Sequence, residues 1–381
     1  MNDRIASILS EYDAQGIHRT GTDVDNDSAR WLADKIRLAG VQPVIDAFSF
    51  KRVHVLDARL RVSELDIKGV PLFDCTYTDE RGITGRLGKL GSKADIGVAM
   101  ALPFPRGELF SQIASARKSN IHKAIVLVTD ETMPSKGVAT LNAESFQNPY
   151  GPPVLQIANS QWVQIRTAVT SGQIATVIAH CEYLAATAKN VQAYMPGKRR
   201  GTPPLVVMTP RSGWWTCASE RGGGIAAFLE IMRAIKQSGH TRDIIFTANT
   251  GHELGHTGLD HFLEANPSLI KDAHLWIHLG ANIAAKQGGG LRLQYSDEPA
   301  RSIAAHYLKS ESIEPTAVTP IGTLPFGEAR NIFDGGGRYI SILGSNNLFH
   351  HPADQWPDAV DLGTTTRCVR ALSSMAVDLS N

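Results

Sequence analysis

Cysteine is scarce in this 381-residue sequence, and the four present, Cys75, Cys181, Cys217 and Cys368, are far apart with no CxxC pair. That spacing excludes a disulfide framework and a thiolate zinc knuckle, and buried reduced thiols are expected instead. An excess of one charge is also missing. Thirty-eight basic residues stand against 37 acidic ones, for a formal charge of +1. Such a balance leaves no electrostatic footprint for nucleic acid or an anionic membrane surface. No apolar run reaches the length of a membrane span. The opening MNDRIASILSEYDAQG carries Asp3 and Arg4 and lacks the apolar core and cleavage site of a signal peptide. A cytoplasmic protein is expected, with small molecules or proteins as partners and room for a homo-oligomer. Repeats and low-complexity tracts are absent too.

What is present is ordinary globular composition, 43% apolar and 20% charged, over a length sufficient for two domains. DNDSARWLADKIRLAG (25–40) predicts an amphipathic helix, with Asp27 or Ser28 as its cap and Gly40 at its end. From about residue 60, short β-rich pieces such as HKAIVLVTD and QIATVIAHCEYL sit among Gly/Pro breaks, MALPFPRGELF and NPYGPPV. These describe a compact β-rich insertion over 61–190, with 1–60 and 191–381 forming the main domain. Beyond it apolar runs alternate with helical patterns: PLVVMT, GGIAAFLEIMRAIKQSG, DIIFTAN, TGLDHFLEAN, AHLWIHL, DEPARSIAAHYLKS, RYISIL and a last helix in TTTRCVRALSSMAVDL. That alternation predicts an α/β fold, a mostly parallel sheet with helices on both faces. Ligands of such sheets gather at the carboxyl ends of the strands. The polar clusters TPRSGWWTCASER, TGHELGH, GANIAAK and GSNNLFHHPAD all follow apolar runs there.

One cluster contains His252-Glu253-Leu254-Gly255-His256, an HExxH pattern. In a zincin both histidines sit one turn apart on a stable helix, with a third ligand further on. Here Gly251 and Gly255 flank and interrupt the pattern, and a strand candidate runs directly into it. Gly258 and His261 each fall one residue short of the extended spacing. The zincin pattern is therefore set aside.

Taken in order, the segments KNVQAYMPG, PPLVVMTPRSGWWTCASERGGGIAAFLEIMRAI, IIFTANTGHELGHTGLDHFL, LWIHLGA, LPFGEARNIFDGGGRYISILG and LFHHPADQWPD resemble the co-catalytic zinc aminopeptidase family. That family includes glutamate carboxypeptidases and glutaminyl cyclases, and the insertion resembles its protease-associated domain. The resemblance implies metal-binding positions at Glu220 (the bridging acid), Glu253 and His350. It also places Pro210, Ser212 and Gly280 where the family has a His and two Asp, so that one metal half-site is lost. Glu220, Glu253 and His350 would then hold a single divalent ion, zinc first, with manganese or iron also suited. His252 falls at the general-base position, and imidazole is a competent base near neutral pH. His256 takes the place of a Leu and reads as a helix-start or packing residue. His278, two residues before Gly280 on one strand face, could reach over that glycine as a replacement ligand or support one.

For the substrate, Trp214 and Trp215 offer a flat apolar wall. Arg211, with Arg221, Arg330 and Arg338 on neighbouring loops, offers a carboxylate clamp. Glu328 could bind an amine, and His351 could touch substrate. The expected function is metal-dependent hydrolysis of the C–N amide bond in a specialised small substrate or short peptide, aromatic groups being favoured. Two alternatives stand beside it: a non-catalytic binding protein on a peptidase scaffold, and aminoacyl transfer of the glutaminyl-cyclase kind.

Overall fold

The computed structural model describes every residue except 105, 106 and 289. Pro105 and Arg106 of the expected MALPFPRGELF break thus lie outside the described residues. The chain opens with α1 (Asn2–Asp13) and α2 (Asp23–Leu38). The cap of α2 is Thr22 rather than Asp27 or Ser28, which lie inside the helix. Thr22 is extended and its hydroxyl accepts from the Asp25 amide, while Asp23 and Asp25 occupy the first turn, where carboxylates complement the helix dipole.

Next come β1 (Pro43–Val62), β2 (Leu65–Pro71), β3 (Ile83–Lys89), β4 (Ile96–Ala101), α3 (Gly107–Ser119), β5 (Ala124–Thr129), β6 (Val154–Ile157), α4 (Trp162–Ser171) and β7 (Ile174–Met195). Strands β3 to β6 run parallel to one another, and Leu60, Val98, Val126, Leu155 and Val177 build a core of their own. The expected boundaries near 60 and 190 fall inside strands. β1 and β7 pair antiparallel from Pro43↔Ala193 to Val62↔Ala175, with one register shift between Val55 and Asp57. The chain therefore enters and leaves this region on one hydrogen-bonded ribbon.

The remaining elements are β8 (Leu205–Pro210), α5 (Gly222–Ser238), β9 (Ile244–Asn249), α6 (Thr257–Ala265), α7 (Leu269–Asp272), β10 (Leu275–Leu279), β11 (Leu291–Tyr295), α8 (Glu298–Ser310), β12 (Ala317–Thr319), α9 (Ala329–Asp334), β13 (Tyr339–Gly344) and α10 (Leu362–Leu379). Their strand order is β7-β9-β8-β10-β13-β11-β12. β9, β8, β10 and β13 are parallel, as are β11 and β12 at the edge, while β7 runs antiparallel to β9 and β11 antiparallel to β13, so the sheet is mixed and mostly parallel. Both faces are covered. Leu205 and Val207 pack with α5 and α10, whereas Val206 and Met208 pack with α6, α7 and α9, as the two-residue period of a strand requires.

The carboxyl ends of β8, β9 and β10 carry the polar clusters, and glycines set α5 close against them. A Cβ on Gly223 would stand 2.7 Å from the Ala284 amide nitrogen, and one on Gly224 would stand 2.6 Å from Thr209 Oγ1. Only glycine permits that approach. All four cysteines are free thiols, three buried and Cys181 half-buried. Among the described residues no helix is long and apolar enough to cross a membrane.

Candidate active site

Glu220 sits in the turn before α5, and Asp354 fixes that turn. The Glu220 amide donates to Asp354 Oδ2 at 2.9 Å, and the Ser219 amide and hydroxyl donate to Asp354 Oδ1 at 2.9 and 2.6 Å. Burial, the leading influence, pushes the Asp354 carboxyl up to about 7. The sequence reading passed over Asp354, although it stands four residues after His350 in an aromatic-His-x-x-x-Asp pattern.

His350 adopts a φ of 54°, a left-handed conformation uncommon for a residue with a Cβ. Its Nδ1 lies 2.8 Å from the Thr140 carbonyl, a contact that fixes the ring with Nδ1–H donating. Nε2 is thereby left facing Glu220 Oε1 at 3.5 Å. Both of those atoms are buried and without a hydrogen-bond partner. Burial lowers the His350 pKa, so the ring is a neutral lone-pair donor.

Glu253 is brought near by the single 3-10 turn His252–Leu254 after β9, not by a helix carrying the whole HExxH pattern. Gly251 and Gly255 have φ of 75° and 72°, and His256 follows at 65°. Left-handed residues at these positions stop the pattern from forming the continuous turn a zincin needs. Glu253 is fully engaged. Oε1 accepts from the Thr20 hydroxyl at 2.7 Å and the Thr20 amide at 3.0 Å, and Oε2 accepts from the Ser212 hydroxyl at 2.6 Å. Thr20 carries no local signal in the sequence; it arrives from the segment between α1 and α2, 233 residues away.

Among the described residues, no group of three His, Cys, Asp or Glu side chains is placed to hold a metal ion. The test for a metal thus divides. Glu220 Oε1 and His350 Nε2, orphaned and face to face, are a fit for two donors of one ion. The expected third donor, Glu253, is turned to Thr20 and Ser212, and Arg221 Nη2 stands 2.8 Å from Glu220 Oε1.

His252 keeps 5% of its surface exposed. Nδ1 faces Glu328 Oε1 at 3.3 Å, and the ring stacks on His256 at 4.8 Å. Burial, followed by the charge of Arg221 and the neighbouring histidines, lowers its pKa well below the ordinary value. Burial raises the Glu328 carboxyl to about 8, against the bond donated by Asn249 Nδ2 to Oε2. Below that pH the His252–Glu328 pair holds two protons; above it the pair holds one, and the imidazole Nε2 has a free lone pair.

His278 lies on β10 with its ring over Gly280, where an added Cβ would stand 3.0 Å from its Cε1. Its Nδ1 is 2.8 Å from Ser341 Oγ, Nε2 is unpartnered, and burial lowers its pKa to about 3.

The residues read as substrate contacts divide as well. Arg211 does not face the site: its fully buried guanidinium pairs with Asp25 Oδ1 at 2.9 Å and donates to the Lys189 carbonyl at 2.7 Å. Arg330 pairs with Glu144 and Arg338 with Asp297. Trp214 is buried edge-on to Phe73 and donates to Asn142, while Trp215 Nε1 donates to the His350 carbonyl at 2.9 Å. His351 packs over Gly137 and accepts from the Ala353 amide. Beside Glu253 lies a cavity of about 210 Å³ whose lining includes Arg19, Arg52, Phe73, Trp214 and Leu254.

The segment from β8 through α10 matches the model of Peptidase family M28 over residues 207–376. Over those residues the chain is similar to a peptidase family M28 domain. Solved structures carry the likeness across the rest of the chain. A zinc aminopeptidase from Bacillus subtilis matches at TM-score 0.80 and 17% identity, covering 100% of this chain and 95% of that one. An M28 peptidase precursor from Shewanella amazonensis matches at 0.76 and 14%, covering 100% and 96%. An aminopeptidase from Aneurinibacillus sp. strain AM-1 matches at 0.71 and 13%, covering 100% and 94%. At such identities the likeness is one of fold, and it extends beyond the region that matches the M28 model to the whole chain. No curated protein sequence matches.

Proposed function

We propose that the protein is a peptidase-like, metal-dependent hydrolase that cleaves the C–N amide bond of a specialised small substrate carrying an aromatic group. The observation that carries this reading is the pair of donors without hydrogen-bond partners, Glu220 Oε1 and His350 Nε2, facing each other at 3.5 Å within the region that matches the M28 model. These two would hold a single divalent ion, zinc first and manganese or iron next, with Glu253 or His278 completing the set. Such an ion supplies Lewis acidity at a substrate carbonyl.

The chain's own groups provide the rest. Glu328 orients His252, whose exposed edge takes a proton when the pair is singly protonated. Thr140 holds the His350 ring in one tautomer. The cavity beside Glu253 takes the apolar part of the substrate against Phe73 and Trp214, and Arg19 and Arg52 favour a negative charge there. Its volume, about 210 Å³, falls below the roughly 300 Å³ at which ordinary ligand pockets begin. A single ring or short acyl chain suits it better than a long peptide.

A second reading is supported by Arg221 against Glu220 and by the engaged Glu253: a binding protein on a peptidase scaffold. One experiment separates the two. Screening N-acyl amino acids and aryl amides with excess zinc, wild type beside His252→Ala, should show hydrolysis in the wild type that falls about a hundredfold in the variant. Ligand binding without any turnover would sink the hydrolase and leave the binding protein.

A further inference from the structure

Glu220 and Arg221 are consecutive, and both side chains are wholly buried. Their 2.8 Å contact is an ion pair without hydrogen-bond alignment, because Arg221 Nη1 and Nη2 and Glu220 Oε1 all lack hydrogen-bond partners. Arg221 Nε donates to the Ser212 carbonyl at 2.7 Å, and the Ser212 hydroxyl donates to Glu253. The guanidinium is thus anchored by Glu220 and the Ser212 carbonyl, and Ser212 in turn is bonded to Glu253. Burial opposes its charge, but Glu220 and then other neighbours, Glu253 among them, outweigh that cost and keep Arg221 protonated.

A buried carboxylate at the end of a parallel sheet needs a positive charge, because an unpaired buried ion is strongly destabilising. We infer that in this chain Arg221 is itself the cation of the site, so that a divalent ion reaches Glu220 only by displacing the guanidinium. The inference rests on reading Glu220 and His350 as the ion's donors. Arginine suits the role, since its charge persists at every accessible pH and its planar head is weakly hydrated. The misaligned contact makes the occupancy a contest. The pair lacks the two parallel hydrogen bonds of a good arginine–carboxylate pair, and the donors left over make the guanidinium easier to expel. Competition follows because ion and guanidinium claim the same oxygen.

The test is zinc binding by full-length, chelator-stripped protein without substrate, read by equilibrium dialysis and titration calorimetry on wild type, Arg221→Gln, Arg221→Met and Arg221→Lys. Both neutral variants should bind one zinc per chain at least about tenfold more tightly than wild type, and Arg221→Lys should remain weak. Equal affinities in all four overturn the competition while leaving the donor assignment intact. Zinc binding by none of them overturns the donor assignment and the competition with it. A neutral variant that is unstable because Glu220 has lost its partner is read by thermal unfolding with and without zinc. Rescue of its fold by zinc beyond any shift in wild type supports the inference, and no rescue in either neutral variant overturns it.

Discussion

At the scale of single residues, the candidate site is a set of buried polar and charged groups, most of them held by partners from distant segments. Glu220, Glu253, His252 and His350 could be picked out as candidates because they fall in loops that follow apolar runs, and the structure brings Glu220 and His350 to 3.5 Å. Their partners could not be picked out. Thr20 and Thr140 come from segments with no motif and Asp25 from a helix that reads as structural, and only the folded chain brings them within reach of Glu253, His350 and Arg211. Arg211 looked like a clamp for a carboxylate because the sequence cannot display Asp25 beside it. Glu328 offers a measurable consequence. Its carboxyl is held at about 8 against an ordinary 4.5. Between those values the folded protein keeps a proton that the unfolded chain releases. The stabilisation is full below the ordinary value and is lost as pH rises through about 8. Glu328→Gln cannot ionise, so the melting temperature of wild type should fall relative to the variant as pH is raised through that window. Parallel curves for the two proteins would show that Glu328 is already ionised at neutral pH.

At the scale of elements, periodicity carried the reading well. The continuous apolar run of β8 and the largely apolar first three turns of α5 are written directly into LVVMTP and GIAAFLEIMRAI, because burial on both sheet faces leaves few polar positions. Boundaries were harder. Five residues in DVDNDS and the Thr before them can all cap a helix, and the choice of Thr22 follows from the chain direction set by the preceding Gly21, with its φ of 73°. The glycines opening α5 are a constraint of shape: a Cβ on Gly224 meets Thr209 Oγ1 at 2.6 Å and the Leu279 carbonyl at 3.1 Å. Gly224→Ala should therefore cost about 1–3 kcal/mol in urea unfolding by forcing α5 off the sheet. A loss below about 0.5 kcal/mol, the range of an inconsequential surface change, would mean that the helix has slack at this point.

At the scale of the whole molecule, the mostly parallel sheet that the alternating pattern implies is there, with β7 and β11 running against the parallel strands β9, β8, β10 and β13. The β-rich region was legible as a change of texture, but its attachment was not, since a long alternating strand reads the same whether it ends at a linker or continues through it. Segments from this region also reach the site: Thr140 holds His350, and the Ala143 amide donates to the Glu253 carbonyl at 2.9 Å. The ribbon of β1 and β7 has a calorimetric consequence. Regions hung on slack tethers melt one after the other, but here the backbone ladder from Pro43↔Ala193 to Val62↔Ala175 belongs to both cores at once. Neither core can lose its order without fraying strands that the other requires, so heating should give one endotherm whose van't Hoff and calorimetric enthalpies agree. Two separated peaks would mean that the shared spine can part in the middle.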